Sequence, residues 1–297
     1  MPIAQTLSFH RLLTFLARRF VAGETSVEAV EAARDVNRRG IQGLLDFLGE
    51  HVQSAEAARS AAAEYIRLLE AIRERGVNAC VSLKASQMGL LVSSELCLEN
   101  LQTVVRRAKD LNNFVWLDME GSALTQKTLD VFSRLRNQFS NVGVCLQACL
   151  MRTGEDLDRL ERGFSNRPLP IRLCKGAYKE PSGIAFASWR AVNDNFRVLA
   201  NRLIDHIPQG VFPAFATHDR ALISDILAVL RRQGVDPKRF EFQMLYGIQN
   251  KYLETLVREG YRAGVYIPYG GSWFPYFARR LGERKENVYF LLRNMLD

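Results

Sequence analysis

The chain has 297 residues, of which 47% are hydrophobic and 24% are charged, so it can bury one large core or two ordinary ones. No apolar run reaches the roughly 18 residues of a membrane span, and polar and arginine side chains interrupt residues 1–20, unlike a secretion signal. We therefore expect a cytoplasmic protein with five reduced, mostly buried cysteines, which form no zinc pattern with the four histidines.

The net charge of +8 would attract polyanions, anionic lipid surfaces or acidic small molecules. The basic residues are spread along the chain, and no helix-turn-helix or zinc-finger motif is present, so we expect no nucleic-acid partner. Residues 6–20 form an amphipathic pattern that contains Arg11, Arg18 and Arg19. Two interpretations of this helix stay open, namely peripheral docking on the inner face of a membrane and packing on its own domain.

A second short helix is predicted at residues 26–38, with Ser26 as its N-cap. From residue 40 onward, short apolar runs alternate with amphipathic helices. The runs are residues 41–48, 78–84, 114–120, 142–148, 170–177, 211–218, 240–246 and 262–269. The helices between them include residues 55–75, 95–111, 124–139, 185–207 and 223–232.

Strands that alternate with helices pair in parallel, because a parallel neighbour needs a long connection. Eight units of this size predict a (β/α)8 barrel, with an open doubly wound sheet as the alternative. No glycine-rich dinucleotide-binding motif follows a strand. We expect residues 1–38 to be a helical appendage and residues 39–297 to be the barrel domain.

The predicted strands end in polar residues. In a barrel the active site lies at these carboxyl ends, so the residues are candidates for a shared site. They are Lys84; Asp118, Met119 and Glu120; Gln147; Lys175, Gly176, Ala177 and Tyr178; Thr217, His218 and Asp219; Gln243 and Leu245; Tyr266 and Tyr269.

A final helix follows the eighth strand. At about 100° per residue, one quadrant holds Tyr276, Arg279, Arg280 and Glu283, and the opposite side, predicted to pack, holds Phe274, Phe277, Ala278 and Leu281. Two adjacent guanidiniums suit a small carboxylate, because their planar donors match its oxygens. The alternative is a solvated basic face.

Three further cations lie in or at the end of predicted strands. Lys84 is either a Schiff-base nucleophile or a third cation for a substrate carboxylate. Arg172 shares a strand face with Cys174, whereas Lys175 is expected to point to the other side. A buried arginine is costly unless an anionic or electron-rich group faces it.

Taken together, these residues resemble the proline dehydrogenases, flavin-dependent (β/α)8 enzymes of proline catabolism. The resemblance covers nearly the whole chain and rests on an ordered set of motifs. They are 81–84 (VSLK), 117–120 (LDME), Gln147, 172–178 (RLCKGAY), 216–219 (ATHD), 242–245 (FQML), 266–270 (YIPYG) and 279–281 (RRL). Lys179 differs from some members, which have tryptophan there, and Cys174 from many that have valine.

The resemblance implies a role for each matching position. Lys84, Arg279 and Arg280 would hold the proline carboxylate, while Leu245, Tyr266 and Tyr276 would close around the ring. The residues implied for FAD are Met119, Gln147, Lys175, Gly176, Ala177, Thr217, His218 and Gln243. Arg172 would lie near flavin N5, Asp118 would organise the polar network, and Glu283 would support the arginine helix.

The implied reaction is the oxidation of L-proline to Δ1-pyrroline-5-carboxylate with noncovalent FAD, followed by electron transfer to a membrane quinone. Two other functions stay open. One is an aldolase-like lyase with Lys84 or Lys175 as Schiff base and Asp118 as proton shuttle. The other is a carboxylate-binding barrel without chemistry.

Overall fold

A closed parallel barrel of eight strands forms the centre of the protein, in a computed structural model that describes residues 19–165 and 167–282 without the side chains of Asn250, Arg280 and Leu281. The strands are β1 (Gln42–Phe47), β2 (Ala79–Lys84), β3 (Val115–Asp118), β4 (Val142–Gln147), β5 (Leu169–Cys174), β6 (Val211–Ala216), β7 (Glu241–Leu245) and β8 (Arg262–Tyr269). Strand β8 pairs in parallel with β1, with Leu44 opposite Tyr266, and this pairing closes the barrel. The predicted (β/α)8 fold is confirmed, and the open sheet is wrong.

Helices connect the strands and cover the outside of the barrel. They are α1 (Ser26–Asn37), α2 (Ala55–Glu74), α3 (Ser94–Asp110), α4 (Ser122–Arg136), α5 (Thr153–Gly163), α6 (Trp189–Asp205), α7 (Arg220–Arg232), α8 (Asn250–Arg258) and α9 (Trp273–Gly282). Side-chain caps define several of the starts. The helix predicted from residue 185 begins at Trp189, because the Ser188 hydroxyl accepts the N–H of Ala191.

The prediction of Ser26 as the N-cap of α1 is wrong by one residue. The cap is Thr25, which has an extended backbone and whose hydroxyl accepts the N–H of Glu28. The Glu28 carboxylate in turn accepts the N–H of Thr25 at 3.0 Å, so the two residues form a capping box.

This capping box predicts a stability difference between neighbouring residues. We expect Thr25→Ala to lower the free energy of unfolding by about 0.5–2 kcal/mol, because N–H groups of the first turn lose their acceptor. Ser26→Ala is the matched control and should be nearly neutral. Urea unfolding of both variants checks the assignment, and equal losses would contradict it.

Three strands end two or three residues earlier than predicted. Strand β3 stops at Asp118, β5 at Cys174 and β6 at Ala216, so Glu120, Ala177 and His218 lie in the loops that follow. The residues that follow these strands, 119–120, 175–177 and 217–218, are mostly polar or small, and several of them line the cavity at the barrel mouth. Loop residues can therefore face the same space as the last strand residues.

The barrel interior contains side chains and is not a pore. Leu44, Cys80, Trp116 and Ala214 form a buried cluster inside it. The alternate strand residues face outward and pack with the helices in the main hydrophobic core. With the interior filled at this level, open space remains toward the carboxyl ends of the strands.

A short segment before α1 also packs on the barrel, and we call residues 19–22 the N-terminal strap. Phe20 and Val21 are buried with Trp273, Tyr276 and Phe277 of α9. The N–H of Ala22 donates to the Pro268 carbonyl at 2.9 Å. Gly247 has a φ of +76°, and the Arg19 carbonyl lies where a side chain at 247 would be, so this close approach requires glycine.

Most of the predicted helix at residues 6–20, including Arg11 and Arg18, lies outside the described residues, so its two interpretations stay open. Helix α1 shares the main hydrophobic core with the barrel through Val30, Ala33 and Val36. The division of the chain at residue 39 stays a prediction. No helix within residues 19–165 and 167–282 is long and apolar enough to cross a membrane.

Candidate active site

A cavity of about 580 Å³ opens at the carboxyl ends of the strands. It brings together nearly all the predicted site residues, namely Lys84, Asp118, Met119, Gln147, Arg172, Lys175, Gly176, Ala177, Thr217, His218, Gln243, Leu245, Tyr266, Tyr276 and Arg279. The side chain of Arg280 is not described, and Glu283 lies outside the described residues. Tyr269 is buried and bonds Glu64 at 3.2 Å, away from the cavity lining.

Asp118 is the centre of the polar floor. Its Oδ1 accepts hydrogen bonds from Arg172 Nη1 at 2.6 Å and from Ser82 Oγ at 2.9 Å. Its Oδ2 accepts the Tyr266 hydroxyl at 2.6 Å. Burial and the Asp118 carboxylate together raise the pKa of Tyr266 well above the usual tyrosine value, so this phenol stays protonated.

Lys84 lies beside this network and is paired with two carboxylates. Its Nζ is 3.0 Å from both oxygens of Asp46 and 3.8 Å from Asp118 Oδ2. Burial by itself would lower the pKa of Lys84, but the two carboxylates outweigh burial and raise it. The amine therefore stays protonated, which disfavours the Schiff-base interpretation, since a nucleophilic amine must be neutral.

Asp46 is a site residue that the sequence reasoning missed. It is fully buried in β1, and burial raises its pKa against the attraction of Lys84. The Tyr65 hydroxyl donates to it at 3.4 Å. The sequence feature that could have identified Asp46 is that it is the single acidic residue inside the apolar run 41–48. This run contains none of the recognised motifs.

Arg172 is buried next to Asp118 and retains free donors. Its guanidinium lies 4.6 Å from the centre of the Trp116 ring and forms the ion pair with Asp118 through Nη1. Nε and Nη2 have no hydrogen-bond partner among the described atoms. Because unpaired buried donors are costly, this arrangement suits an electron-rich ligand above the floor.

Lys175 faces the cavity as Arg172 does, so the prediction that it points to the other side is wrong. Strand β5 has already ended at Cys174, and the chain turns at Gly176, which has a φ of +110°. Lys175 Nζ binds Asp219 Oδ2 at 2.8 Å and lies 5.9 Å from the centre of the Trp189 ring. This ion pair makes Lys175 a poor Schiff-base candidate as well.

Several polar side chains on this side of the cavity are held by the barrel. Gln147 Nε2 donates to the Glu120 carbonyl at 2.8 Å, and Gln243 Nε2 donates to the buried carboxylate of Glu241. The N–H of Leu245 donates to His218 Nε2 at 2.9 Å. Both glutamines are therefore oriented by hydrogen bonds within the protein.

The opposite wall is formed by α9 and the loop after β1. Arg279 binds Glu50 through two hydrogen bonds, at 2.6 and 3.2 Å, and lies 5.6 Å from the centre of the Tyr178 ring. Sequence reasoning also missed Glu50, because it lies in a loop without a motif. The Arg279 guanidinium is therefore paired with a carboxylate and is not fully exposed to solvent.

The predicted packing face of α9 is partly wrong. Phe274 is 57% exposed and Ala278 is exposed, whereas Tyr276 and Phe277 are buried together. The reason is the N-terminal strap, since Phe20 packs 6.2 Å from Phe277 between ring centres. Tyr276 therefore belongs to the buried face and still lines the cavity.

No group of three or more metal-binding side chains is found among the described residues. The free donors of Arg172, the oriented glutamines and the backbone of Gly176 line the cavity, and this set of groups suits an electron-rich organic cofactor. A Cβ at position 176 would overlap Cys149 Sγ, so the close packing of this turn against Cys149 requires glycine.

A (β/α)8 barrel with paired ionic groups at the carboxyl ends of its strands is the architecture of a barrel enzyme. The family model described as proline dehydrogenase matches residues 29–293. Proline dehydrogenase 1 of Bacillus subtilis strain 168 is 37% identical over 280 residues, which are 94% of this chain and 90% of that protein. The chain belongs to the proline dehydrogenase family.

A second relative supports the same assignment, and a solved structure supports the fold. The proline dehydrogenase of Deinococcus radiodurans is 37% identical over 286 residues, which are 95% of this chain and 90% of that protein. Among solved structures, proline utilization A from Bdellovibrio bacteriovorus inactivated by N-propargylglycine has a TM-score of 0.88 and 23% identity. The match covers 94% of this chain and 33% of that longer chain, and it shows the likeness of the fold.

Proposed function

We propose that this proline dehydrogenase oxidises L-proline to Δ1-pyrroline-5-carboxylate with noncovalently bound FAD and passes the electrons to a quinone-type acceptor. Family membership supports the oxidation of proline. The single observation that carries the cofactor proposal is Arg172, which keeps Nε and Nη2 unpaired at the floor of the cavity. The chemistry supplied by bound FAD is acceptance of the hydride that leaves C5 of proline.

The chain's own residues would bind and orient the substrate. We assign the carboxylate to Arg279 and Arg280, with the protonated amine of Lys84 as a third cation. Leu245, Tyr266 and Tyr276 would enclose the ring and exclude water. Fixing the carboxylate and the ring together makes the encounter with the cofactor effectively unimolecular.

The remaining proposed contacts concern the cofactor and the polar floor. Met119, Gln147, Lys175, Gly176, Ala177, Thr217, His218 and Gln243 would contact FAD. Asp118 would keep Arg172 and Tyr266 in position through the hydrogen bonds described above. Glu283 would support the arginine helix.

The absorption spectrum of the purified protein tests this proposal. We expect flavin bands that bleach when proline is added without oxygen, and acid precipitation should release all the colour into the supernatant. Colour retained in the pellet would contradict noncovalent binding. Colourless protein that cannot be reconstituted with FAD would overturn the cofactor proposal, and bound flavin without turnover would favour a binding barrel.

The pairing of Arg279 with Glu50 predicts how the carboxylate binds. A substrate carboxylate must replace Glu50 at the guanidinium, so removing the arginine removes a charge-assisted hydrogen bond. We expect Arg279→Met to raise KM for proline by about 10- to 150-fold, which corresponds to about 1.5–3 kcal/mol. Steady-state kinetics with proline measures this change.

Two controls accompany this prediction. Arg232→Met removes an exposed arginine at the end of α7 and should leave KM unchanged. Glu50→Gln removes the competing carboxylate and should not raise KM. An unchanged KM in Arg279→Met would mean that the guanidinium serves only the ion pair with Glu50.

The acceptor proposal predicts reversible membrane binding. A quinone in lipid reaches the cavity only if the barrel docks on the bilayer, and the net charge of +8 could attract anionic lipid. We expect flotation with anionic vesicles at low salt and little at 1 M salt, where the Debye length is about 3 Å. Arg18→Glu with Arg19→Glu should weaken flotation. Protein that never floats would point to a soluble carrier.

A further inference from the structure

Two thiols lie side by side in the cavity and take no part in the proposed reaction. The Cys145 thiol donates to Cys174 Sγ, with 3.5 Å between the sulfurs. Both residues line the cavity, and Cys145 is only 5% exposed. Each is a free thiol. The two sulfurs are soft donor atoms, and the cavity that they line is large enough to admit small molecules.

Strand register explains why the two sulfurs meet without bonding. Cys145 in β4 is opposite Arg172 in β5, so Cys174 is two residues further along the neighbouring strand. With a strand spacing of about 4.8 Å and a rise of about 3.3 Å per residue, the Cα atoms are about 8 Å apart. A disulfide needs Cα atoms closer than about 7 Å, so a direct bond would require movement of two central strands.

A bridge through one soft atom fits the same geometry without that movement. Two sulfurs bound to a single atom at about 2.3 Å, the length of a zinc–thiolate bond, lie about 3.5–3.8 Å apart. We propose that Cys145 and Cys174 form a dithiol site for trivalent arsenicals of the organoarsenic(III) oxide class. The site follows from the strand register and the cavity and does not depend on which substrate the enzyme oxidises.

The reaction at this site balances without an oxidant. Two S–H bonds and the arsenic–oxygen bond break, two arsenic–sulfur bonds form, and the oxygen leaves as water with both thiol protons. Arsenic stays trivalent. The hydrogen bond from Cys145 and burial raise the pKa of Cys174 well above the usual value, which slows reagents that need a preformed thiolate. The oxygen of the arsenical itself accepts the thiol protons, so its reaction is less affected by the raised pKa of Cys174.

Cys149 provides an internal control in the same region. It lies against the Gly176 backbone, and burial raises its pKa to about 11. It does not line the cavity, whereas the other two thiols do. Cys97 is buried in α3 and bonds the Ala85 carbonyl at 3.4 Å. Neither of these thiols is expected to bind the arsenical.

The test uses phenylarsine oxide on the full chain, as purified and after removal of bound cofactor, with the fold checked by circular dichroism. Native mass spectrometry should show one bound arsenical per chain, at least in the protein from which the cofactor has been removed. The adduct should survive excess mercaptoethanol and be released by 2,3-dimercaptopropanol. Cys145→Ala and Cys174→Ala should each reduce retention at least tenfold, while Cys149→Ala and Cys97→Ala retain it.

The other outcomes also decide the proposal. An adduct in neither preparation, or retention unchanged in Cys145→Ala or Cys174→Ala, would overturn the site. Rapid disulfide formation between the two residues with diamide would overturn the spacing argument. An adduct that forms only after the cofactor is removed supports the site and places it beneath the cofactor.

Discussion

Replacing Arg172 by methionine is expected to lower kcat/KM for proline by about 10²- to 10³-fold, measured per bound flavin. Arg172 lines the cavity, its Nε and Nη2 have no hydrogen-bond partner among the described atoms, and losing one preorganised donor typically costs this much. The change also removes the cation at 2.6 Å from Asp118, so the polar floor loses its fixed geometry. Arg172→Lys keeps the charge but not the planar donors and should recover only part of the activity.

Arg136→Met is the matched control for this prediction. Arg136 is 3% exposed, donates to the carbonyls of Phe139 and Pro168, and is not among the residues that line the cavity. Its loss should lower thermal stability and leave turnover per bound flavin unchanged. If Arg172→Met behaves in the same way, Arg172 is a structural residue and the cofactor proposal loses its main support.

Replacing Lys84 by methionine is expected to lower the free energy of unfolding by about 3–5 kcal/mol. The change leaves the Asp46 carboxylate buried without the amine that contacts both its oxygens, and breaking one side of a buried pair usually costs this much. Adding Asp46→Asn removes the unpaired charge and should restore a large part of the loss. Urea unfolding of both single variants and the double variant measures the coupling.

The pH dependence of Lys84→Met provides a second measurement. Burial already raises the pKa of Asp46, and loss of the amine raises it further. A carboxyl with a higher pKa in the folded state favours folding when it is protonated, so the deficit should be small below about pH 4 and grow as pH rises. The double variant should lose this dependence. A loss of stability that becomes larger as the pH falls would contradict the assignment of this pH dependence to Asp46.

The barrel could be predicted from the sequence because the eight apolar runs and the helices between them repeat at regular spacing. Helix starts were less accurate, since Thr25 and Ser26 are both good caps and only the Glu28 contact distinguishes them. The end of β5 was also placed too late, because the strand ends at Cys174 and the chain turns at Gly176, which has a φ of +110°. Sequence periodicity does not separate a strand from the loop that follows it.

Site residues that belong to the ordered motifs could be predicted from the sequence. Site residues outside these motifs were missed. Asp46 and Glu50 are single acidic residues whose importance comes from partners far away in sequence, Lys84 and Arg279. The contact of Cys145 with Cys174 depends on the register of two strands, which no local pattern determines. The exposed Phe274 shows that the direction of α9 depends on what packs against it.

The N-terminal strap gives the two sides of the cavity different folding requirements. Loops after β5 and β6 carry five of the eight residues assigned to the cofactor, and neighbouring units can form them. The substrate wall instead needs Phe20 to meet Phe277, a contact between opposite ends of the described chain. Such non-local contacts are slow to form because the chain between them must already be ordered. During folding, affinity for the cofactor can therefore develop before affinity for the substrate. Local opening of the strap would weaken substrate binding and leave cofactor binding unchanged.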